Sequence, residues 1–206
     1  MIAIIDYGVG NLFSLKSSLA AIGQEAVVTR DRAAIRSASH VILPGVGAFG
    51  DAAAKLRETG MAEAVLAEAA AGKPVLGICL GMQLLFQRSF EYGEHPGLGL
   101  VQGEVRPIRE VIPPELDVPH MGWNALRFPA DRPRSPIFAG VEEGEYVYFV
   151  HSYAGFDCGA HLTAWAEYSA PLTAAVQNGN VYGTQFHPEK SGDVGLRILK
   201  AFCALE

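Results

Sequence analysis

The sequence predicts an α/β fold in which helices cover both faces of a central, mostly parallel sheet, followed by a strand-rich, partly antiparallel second half. Two observations predict it. Up to about residue 90, short apolar runs alternate with helix-forming stretches, as in βα units. Beyond that point, strands follow one another closely and include the hairpin signal Asn178-Gly179-Asn180. The 206 residues are enough for one buried core, so we expect a single domain over residues 1–206.

The composition excludes several classes of protein. Half of the residues are hydrophobic and 18% are charged, which indicates a compact globular chain. The net charge of −6 lacks the positive field that attracts nucleic acid or an anionic membrane, and no uncharged apolar run approaches membrane-spanning length. Three cysteines without disulfide or metal-ligand spacing favour a reducing compartment. We therefore expect a cytoplasmic protein that uses no metal or cofactor and binds neither nucleic acid nor membrane.

The first half should contain four buried strands separated by helices. The predicted strands are residues 2–5, 26–29, 40–43 and 75–78. The predicted helices include one from residue 12 to about 22 and a helical region over 51–71 that is broken near Gly60. In the second half, the predicted strands are residues 101–109, 123–128, 146–153, 162–168, 174–177 and 181–185. A loop is expected over 90–99 and a last helix from about Ser191.

The first turn partly matches a dinucleotide-binding fingerprint. It has the form Gly8-x-Gly10-x-x-Phe13, and Asp31 follows at a suitable distance. However, bulky Phe13 replaces the third glycine, which lets helix and strand pack closely. An ordinary glycine-rich turn, exposed at a surface used for contact, is therefore the favoured interpretation.

Residues 73–87 are predicted to form a buried strand, one sharp turn and a helix that continues through Phe86. Cys79 lies on the turn, in a G-x-C-x-G version of the nucleophile elbow whose small flanking residues allow strained backbone. The start of a helix also favours the reactive thiolate. The alternative is that Cys79 is a small buried hydrophobe in a strand–helix corner, as free cysteines often are.

A base elsewhere in the chain distinguishes these alternatives, and His187 is the best candidate. It ends a β-rich run and begins His187-Pro188-Glu189, where residues i and i+2 of an extended segment point the same way. Glu189 can therefore orient the imidazole of His187. With Cys79 as nucleophile and His187 as base and then acid, the three residues form a possible triad. The histidines expected to be structural or exposed are His40, His95 and His161.

The elbow and the His-Pro-Glu segment together resemble the class I, triad-type glutamine amidotransferases. Four further segments are similar to the glutaminase subunits of imidazole glycerol phosphate synthase. They are PGVGAF at 44–49, PHMGWN at 119–124, YFVHSY at 148–153 and FHPEKS at 186–191. The resemblance spans nearly the whole chain and implies the flavodoxin-like fold of class I glutamine amidotransferases.

The resemblance implies a reaction and a partner. Cys79 would form a γ-glutamyl thioester that water hydrolyses to glutamate, and the released ammonia would pass through a shielded route to a separate cyclase. That cyclase is a (β/α)8 barrel that makes imidazole glycerol phosphate and the aminoimidazole carboxamide ribonucleotide in histidine biosynthesis. A barrel needs about 250 residues, so it must be another chain. We expect a heterodimer whose glutaminase activity is low alone and raised by the liganded partner.

The resemblance also implies roles for three further groups of residues. The backbone of the oxyanion hole maps to Val46, Gly47 and Leu80. The residues that would hold the amino-acid end of glutamine are Gln83, Ser152 and Tyr153. The residues expected to face the partner are Asn11, Met121 and Trp123. Two positions stay open, because Trp123 could equally be core, and His151 could be core, substrate-facing or a relay.

Two competing functions retain parts of this pattern. A stand-alone γ-glutamyl hydrolase, a vitamin B6 amidotransferase subunit or a cysteine peptidase would keep the triad, but PHMGWN and FVHSY argue against them. A non-catalytic scaffold would be expected to lack a member of the triad, and none is missing.

Overall fold

The computed structural model describes all 206 residues. It contains six α-helices: α1 (Leu12–Ala21), α2 (Arg32–Ser37), α3 (Phe49–Glu58), α4 (Met61–Ala70), α5 (Leu80–Leu84) and α6 (Gly192–Cys203). The strands of the first half are β1 (Ile2–Ile5), β2 (Ala26–Thr29), β3 (His40–Leu43), β4 (Val75–Ile78), β5 (Phe86–Ser89) and β6 (His95–Pro96). The remaining strands are β7 (Val101–Pro107), β8 (His120–Ala125), β9 (Tyr146–His151), β10 (Tyr153–Phe156), β11 (Leu162–Glu167), β12 (Pro171–Asn178) and β13 (Val181–Thr184).

A seven-stranded sheet forms the centre of the molecule, in the order β11-β12-β13-β4-β3-β1-β2. The five strands from β13 to β2 are parallel, whereas β12 and β11 add antiparallel strands at one edge. Strand β4, which leads into Cys79, is the central strand of the seven. The prediction of a mostly parallel sheet with an antiparallel addition is therefore confirmed.

Helices cover both faces of this sheet, as predicted. Successive side chains of a strand point to opposite faces, so Ala3 and Ile5 pack with helices α2 to α5, while Ile2 and Ile4 pack with α1 and α6. The predicted break at Gly60 separates α3 from α4, and Gly60 has a positive φ of 71°. None of the helices combines the length and the apolar character that crossing a membrane requires.

Two smaller sheets stand beside the central one. Strands β10, β7, β5 and β6 form a four-stranded sheet, and β8 pairs with β9 as an antiparallel two-stranded ribbon. In this β8–β9 ribbon, His120 lies opposite His151 and Ala125 opposite Tyr146. The prediction of a strand starting at residue 123 was wrong by three residues, because pairing with β9 extends β8 back to His120.

Two other sequence predictions were wrong. The helix after Cys79 ends at Leu84, and Phe86 begins a strand that pairs with Val101, so tertiary pairing overrides helix propensity there. The predicted strand 146–153 is two strands, β9 and β10, with Ser152 between them. The second break places Ser152 at the wall of the pocket described below.

Asp31 has a local structural role. Its side chain accepts a hydrogen bond from the backbone N–H of Ala33 at 3.0 Å and caps the N-terminus of α2. The acidic residue of the partial dinucleotide fingerprint therefore serves as a helix cap.

Candidate active site

Cys79 lies on a strained turn between β4 and α5. Its backbone has φ 55° and ψ −111°, which is unusual for a residue with a side chain. The flanking glycines are required, because a methyl group on Gly77 would overlap the carbonyl of Gly81 and one on Gly81 would overlap the carbonyl of Leu43. The G-x-C-x-G pattern thus has a direct steric cause, and it presents the thiol at the carboxyl end of the central strand.

The three residues of the predicted triad are brought together. His187 follows β13, and its Nδ1 lies 2.8 Å from Oε1 of Glu189, with both side chains buried. Cys79 and His187 line the same cavity, and the Cys79 side chain acts on the pKa of the His187 ring. This is the nucleophile–base–carboxylate order that activates a thiol.

The environment of His187 changes its protonation. Burial lowers the pKa of His187, but the hydrogen bonds and negative charge of Cys79 and Glu189 outweigh burial and raise that pKa to about 9. The ring therefore holds a second proton at neutral pH. An imidazolium in this position stabilises a thiolate and can give its proton to a leaving group.

A cavity of about 400 Å³ opens directly above the Cys79 thiol. All six residues predicted for the oxyanion hole and for the substrate line it, together with Cys79 and His187: Val46, Gly47, Leu80, Gln83, Ser152 and Tyr153. They come from four distant segments of the chain, which the carboxyl ends of β3, β4 and β13 and the start of β10 bring together. The volume is in the range of small-molecule sites.

The backbone amides predicted for the oxyanion hole are available to a ligand. The N–H groups of Val46 and Gly47 donate to no other backbone group. Leu80 is the first residue of α5, so its N–H has no acceptor inside the helix. Three residues of the cavity wall therefore carry backbone donors without a backbone acceptor, and such donors can stabilise a developing negative charge.

The loop that carries Val46 and Gly47 is anchored at its first residue. The hydroxyl of Tyr7, which is fully buried, donates a hydrogen bond of 2.8 Å to the carbonyl of Pro44. Gly45 follows, and a methyl group there would lie 2.8 Å from both the Tyr7 hydroxyl and the N–H of Gly81. The loop is thus held between Tyr7, which follows β1, and the elbow at Gly81.

Two buried glutamines connect the cavity wall to the nucleophile. Nε2 of Gln83 donates one hydrogen bond to the Tyr153 carbonyl at 2.9 Å and one to Oε1 of Gln185 at 3.0 Å. Nε2 of Gln185 in turn lies 3.8 Å from Sγ of Cys79. Sequence reasoning missed Gln185, although it stands two residues before His187 and could have been found by the period of an extended segment.

Glu91 is a second residue that sequence reasoning missed. It lines the cavity, and its Oε2 accepts a hydrogen bond of 2.7 Å from the Phe49 backbone N–H. Burial raises the pKa of Glu91. Its segment, a loop rich in Gly, His and Pro, gave no periodic signal, so only the fold reveals that its carboxylate faces the cavity.

The residues predicted to face a partner surround the His187–Glu189 segment. Met121 is 64% exposed and Trp123 is 55% exposed, which excludes the core alternative for Trp123. The Trp123 ring stands edge-on to Tyr148 and close to Gly192. On the other side, Asn11 caps α1 and lines a small cavity together with Val46, His187 and Glu189.

Comparison with known proteins assigns the chain to a family. The family model for class-I glutamine amidotransferases matches residues 3–204. The imidazole glycerol phosphate synthase subunit HisH of Wolinella succinogenes is 47% identical over the full length of both chains, and that of Sulfurimonas denitrificans is 48% identical over 98% of this chain and 97% of the relative. The chain belongs to the HisH family of class-I glutamine amidotransferases. Its fold agrees, since the crystal structure of a glutamine amidotransferase matches with a TM-score of 0.75 at 20% identity, over 99% of this chain and 100% of that one.

Proposed function

We propose that this protein is the glutaminase subunit of an imidazole glycerol phosphate synthase. It hydrolyses glutamine to glutamate and ammonia at Cys79 and passes the ammonia to a separate cyclase subunit in histidine biosynthesis. One observation carries the proposal: Cys79 sits at a strained elbow and shares a cavity with a buried His187 that Glu189 orients. Membership of the HisH family supports the choice of substrate and pathway.

The first half-reaction forms a thioester. The Cys79 thiolate attacks the γ-carboxamide carbon of glutamine, and the carbonyl oxygen becomes an oxyanion that accepts hydrogen bonds from the Leu80 N–H and from the loop of Val46 and Gly47. The intermediate collapses as His187 gives its proton to the departing nitrogen. Ammonia leaves, and the γ-glutamyl group stays on the sulfur.

The second half-reaction uses the same groups in reverse. His187, now neutral, takes a proton from a water molecule that attacks the thioester, and the same amides stabilise the second oxyanion. The carbon–sulfur bond breaks, glutamate is released, and the proton on His187 restores the starting ion pair with Cys79. Glu189 keeps Nδ1 of the ring protonated throughout, so that the other nitrogen faces the sulfur.

The other end of the cavity suits the amino-acid end of glutamine. Nε2 of Gln83 donates to two protein acceptors, and Oε1 of the same amide can accept a hydrogen bond from the α-ammonium of glutamine. We assign Glu91 as the opposite charge for that ammonium and the Ser152–Tyr153 backbone as the contact for the α-carboxylate. These groups contact parts of glutamine that do not react, so they contribute to binding.

The ammonia acceptor is expected to be a (β/α)8-barrel cyclase bound as a heterodimer. Ammonia released at Cys79 must reach the acceptor without protonation in bulk water, which requires a partner that covers this face. The exposed side chains of Met121 and Trp123, with Asn11 across the His187–Glu189 segment, offer such a surface. We place the reaction in the cytoplasm, since the nucleophile must remain a free thiol, as Cys79 is here.

The test measures glutamate released from glutamine, with and without the cyclase. The Cys79→Ala variant should lose at least about 10³-fold of the activity, because no other group can form the thioester. Cys203→Ala, which removes a half-buried thiol of α6 outside the cavity, should keep it. Unchanged glutamate production by Cys79→Ala would refute the assignment of the nucleophile.

A further inference from the structure

A chain of three side chains runs from the β8–β9 ribbon to the wall of the cavity. Nδ2 of Asn124 lies 3.3 Å from Nε2 of His120, Nδ1 of His120 lies 3.0 Å from Nε2 of His151, and Nδ1 of His151 lies 2.9 Å from the carbonyl oxygen of Tyr153. Both histidines are buried. None of these contacts is part of the mechanism above.

The direction of every hydrogen bond in this chain follows from Asn124. Its Oδ1 accepts from the Ala125 N–H at 2.8 Å and its Nδ2 donates to the Glu167 carbonyl at 2.8 Å, so Nδ2 is also the donor to Nε2 of His120. An imidazole whose Nε2 accepts carries its hydrogen on Nδ1, so His120 donates to Nε2 of His151, and Nδ1 of His151 donates to the Tyr153 carbonyl.

Both rings must be neutral for this chain to exist, because a charged imidazole has no accepting nitrogen. Burial lowers the pKa of His120 to about 4 and that of His151 to about 3. His120 is also stacked between Phe149 and Tyr168, at ring-centroid distances of 5.0 and 4.2 Å. The pair is thus neutral and held at a fixed position.

The chain ends on the segment assigned to substrate binding. The Tyr153 carbonyl accepts from both His151 and Gln83, and His151 itself lines the cavity beside Ser152. This carbonyl lies at the start of β10, the edge strand of the four-stranded sheet, and the preceding carbonyl of Ser152 accepts from the Ile108 N–H at 3.0 Å. At this sheet edge, His151 and Gln83 supply side-chain donors to the Tyr153 carbonyl.

We propose that His120 and His151 are positioning residues for glutamine: acting as a one-directional hydrogen-bond chain from Asn124, they hold the Tyr153 carbonyl and with it the Ser152–Tyr153 backbone in the geometry that binds the amino-acid end. The inference rests on the proposed placement of glutamine in the cavity. It assigns to His151 a role in orienting the pocket rather than in proton transfer to the substrate.

The first test reads the tautomers of the rings in the full-length chain. Imidazole ¹⁵N chemical shifts at neutral pH distinguish a protonated Nδ1 from a protonated Nε2. Both His120 and His151 should be neutral and protonated on Nδ1. Protonation of either ring on Nε2, or of both nitrogens, would overturn the proposal, because the chain of donors would then be broken.

The second test separates hydrogen bonding from packing, using two variants of one residue in the complex with the cyclase. His120→Phe keeps an aromatic ring between Phe149 and Tyr168 but cannot donate to His151. This variant should raise the KM for glutamine roughly 5- to 10-fold and leave kcat within about twofold, because the affected contacts stabilise bound glutamine and the transition state equally. His120→Asn loses the ring but keeps a donor near the position of Nδ1, and should change KM by less than about threefold.

The opposite order of the two variants would show that His120 acts only by packing and would overturn the proposal. His40→Phe is the matched control, because His40 is also buried beside an aromatic ring, that of Phe202, and lies at the start of β3 outside the cavity. The KM of His40→Phe for glutamine should be unchanged.

Gln83→Leu separates the positioning role of His120 from the proposed placement of glutamine. A raised KM in Gln83→Leu with a normal KM in His120→Phe would reject only the positioning role. Normal KM values in both variants would also reject the placement of glutamine.

Discussion

His187 stands between two groups that favour its charged form, in a site whose burial alone would favour the neutral form. The pKa near 9 means that the interactions with Cys79 and Glu189 prevail over desolvation. The ring therefore begins the reaction as an acid, ready to protonate the departing nitrogen. As pH rises through 9 this proton is lost, and with it the charge that stabilises the thiolate.

The alkaline limb of the pH–rate profile should consequently lie near pH 9 and should depend on Glu189. In Glu189→Gln the carboxylate charge that raises the pKa of His187 is gone, so the limb should move to lower pH by roughly one unit, and kcat should fall at least about tenfold. The measurement is kcat/KM for glutamate release between pH 6 and 10. Asp193→Asn, on the exposed side of α6, is the control. An alkaline limb at the same pH in Glu189→Gln and in the control would contradict this account.

The clustering of Cys79, His187 and Glu189 was predictable because their signals are local. Cys79 lies in a five-residue pattern with a steric cause, and Glu189 is two residues from His187. Gln185 and Glu91 act only through contacts between distant segments, such as the 3.8 Å approach of Gln185 to Cys79. The period of an extended segment could have drawn attention to Gln185, two residues before His187, but not to its contact with Cys79. No spacing along the sequence signals Glu91, which emerged only from the fold.

At the scale of elements, the parallel strands and their helices were predictable from apolar runs, whereas two element boundaries were not. Phe86 has the residue type and neighbours of a helix, but pairing with β7 draws it into a strand. Ser152 interrupts what the alternation of residues 146–153 predicts as one strand. In both cases long-range pairing, which a sequence window does not contain, decides the local structure.

The loop 44–47 depends on the hydroxyl of Tyr7, two residues after β1. In Tyr7→Phe the ring remains but the hydrogen bond to the Pro44 carbonyl is lost, so the amides of Val46 and Gly47 should be less well ordered. We expect kcat for glutamine hydrolysis to fall about fivefold with little change in KM, because these amides act on the oxyanion. Tyr182→Phe, a buried tyrosine of β13 on the other face of the sheet, should have no such effect. Equal kcat values in the two variants would show that the anchor is dispensable.

At the scale of the molecule, the site lies on a face that exposes apolar side chains. Trp123→Ala should weaken the complex with the cyclase at least about tenfold, since large aromatic residues at the centre of an interface contribute most of the binding free energy. The control is Leu66→Ala, an exposed apolar residue of α4 on the opposite face of the sheet. Titration of glutaminase activity with the cyclase gives the affinity. A dissociation constant that Trp123→Ala leaves unchanged would remove Trp123 from the interface.

The glycines around Cys79 have a consequence for anyone who wishes to redesign this enzyme. Gly77 lies in β4 and Gly81 in α5, while Gly45 lies in the loop after β3. A methyl group on Gly45 or Gly77 would meet the main chain of Gly81, and one on Gly81 would meet the main chain of Leu43. A single substitution at any of them must displace a neighbouring main chain, so directed evolution by single steps should find no tolerated change at these three positions. A new specificity would have to come from Glu91 and Ser152, which line the cavity and are only partly buried.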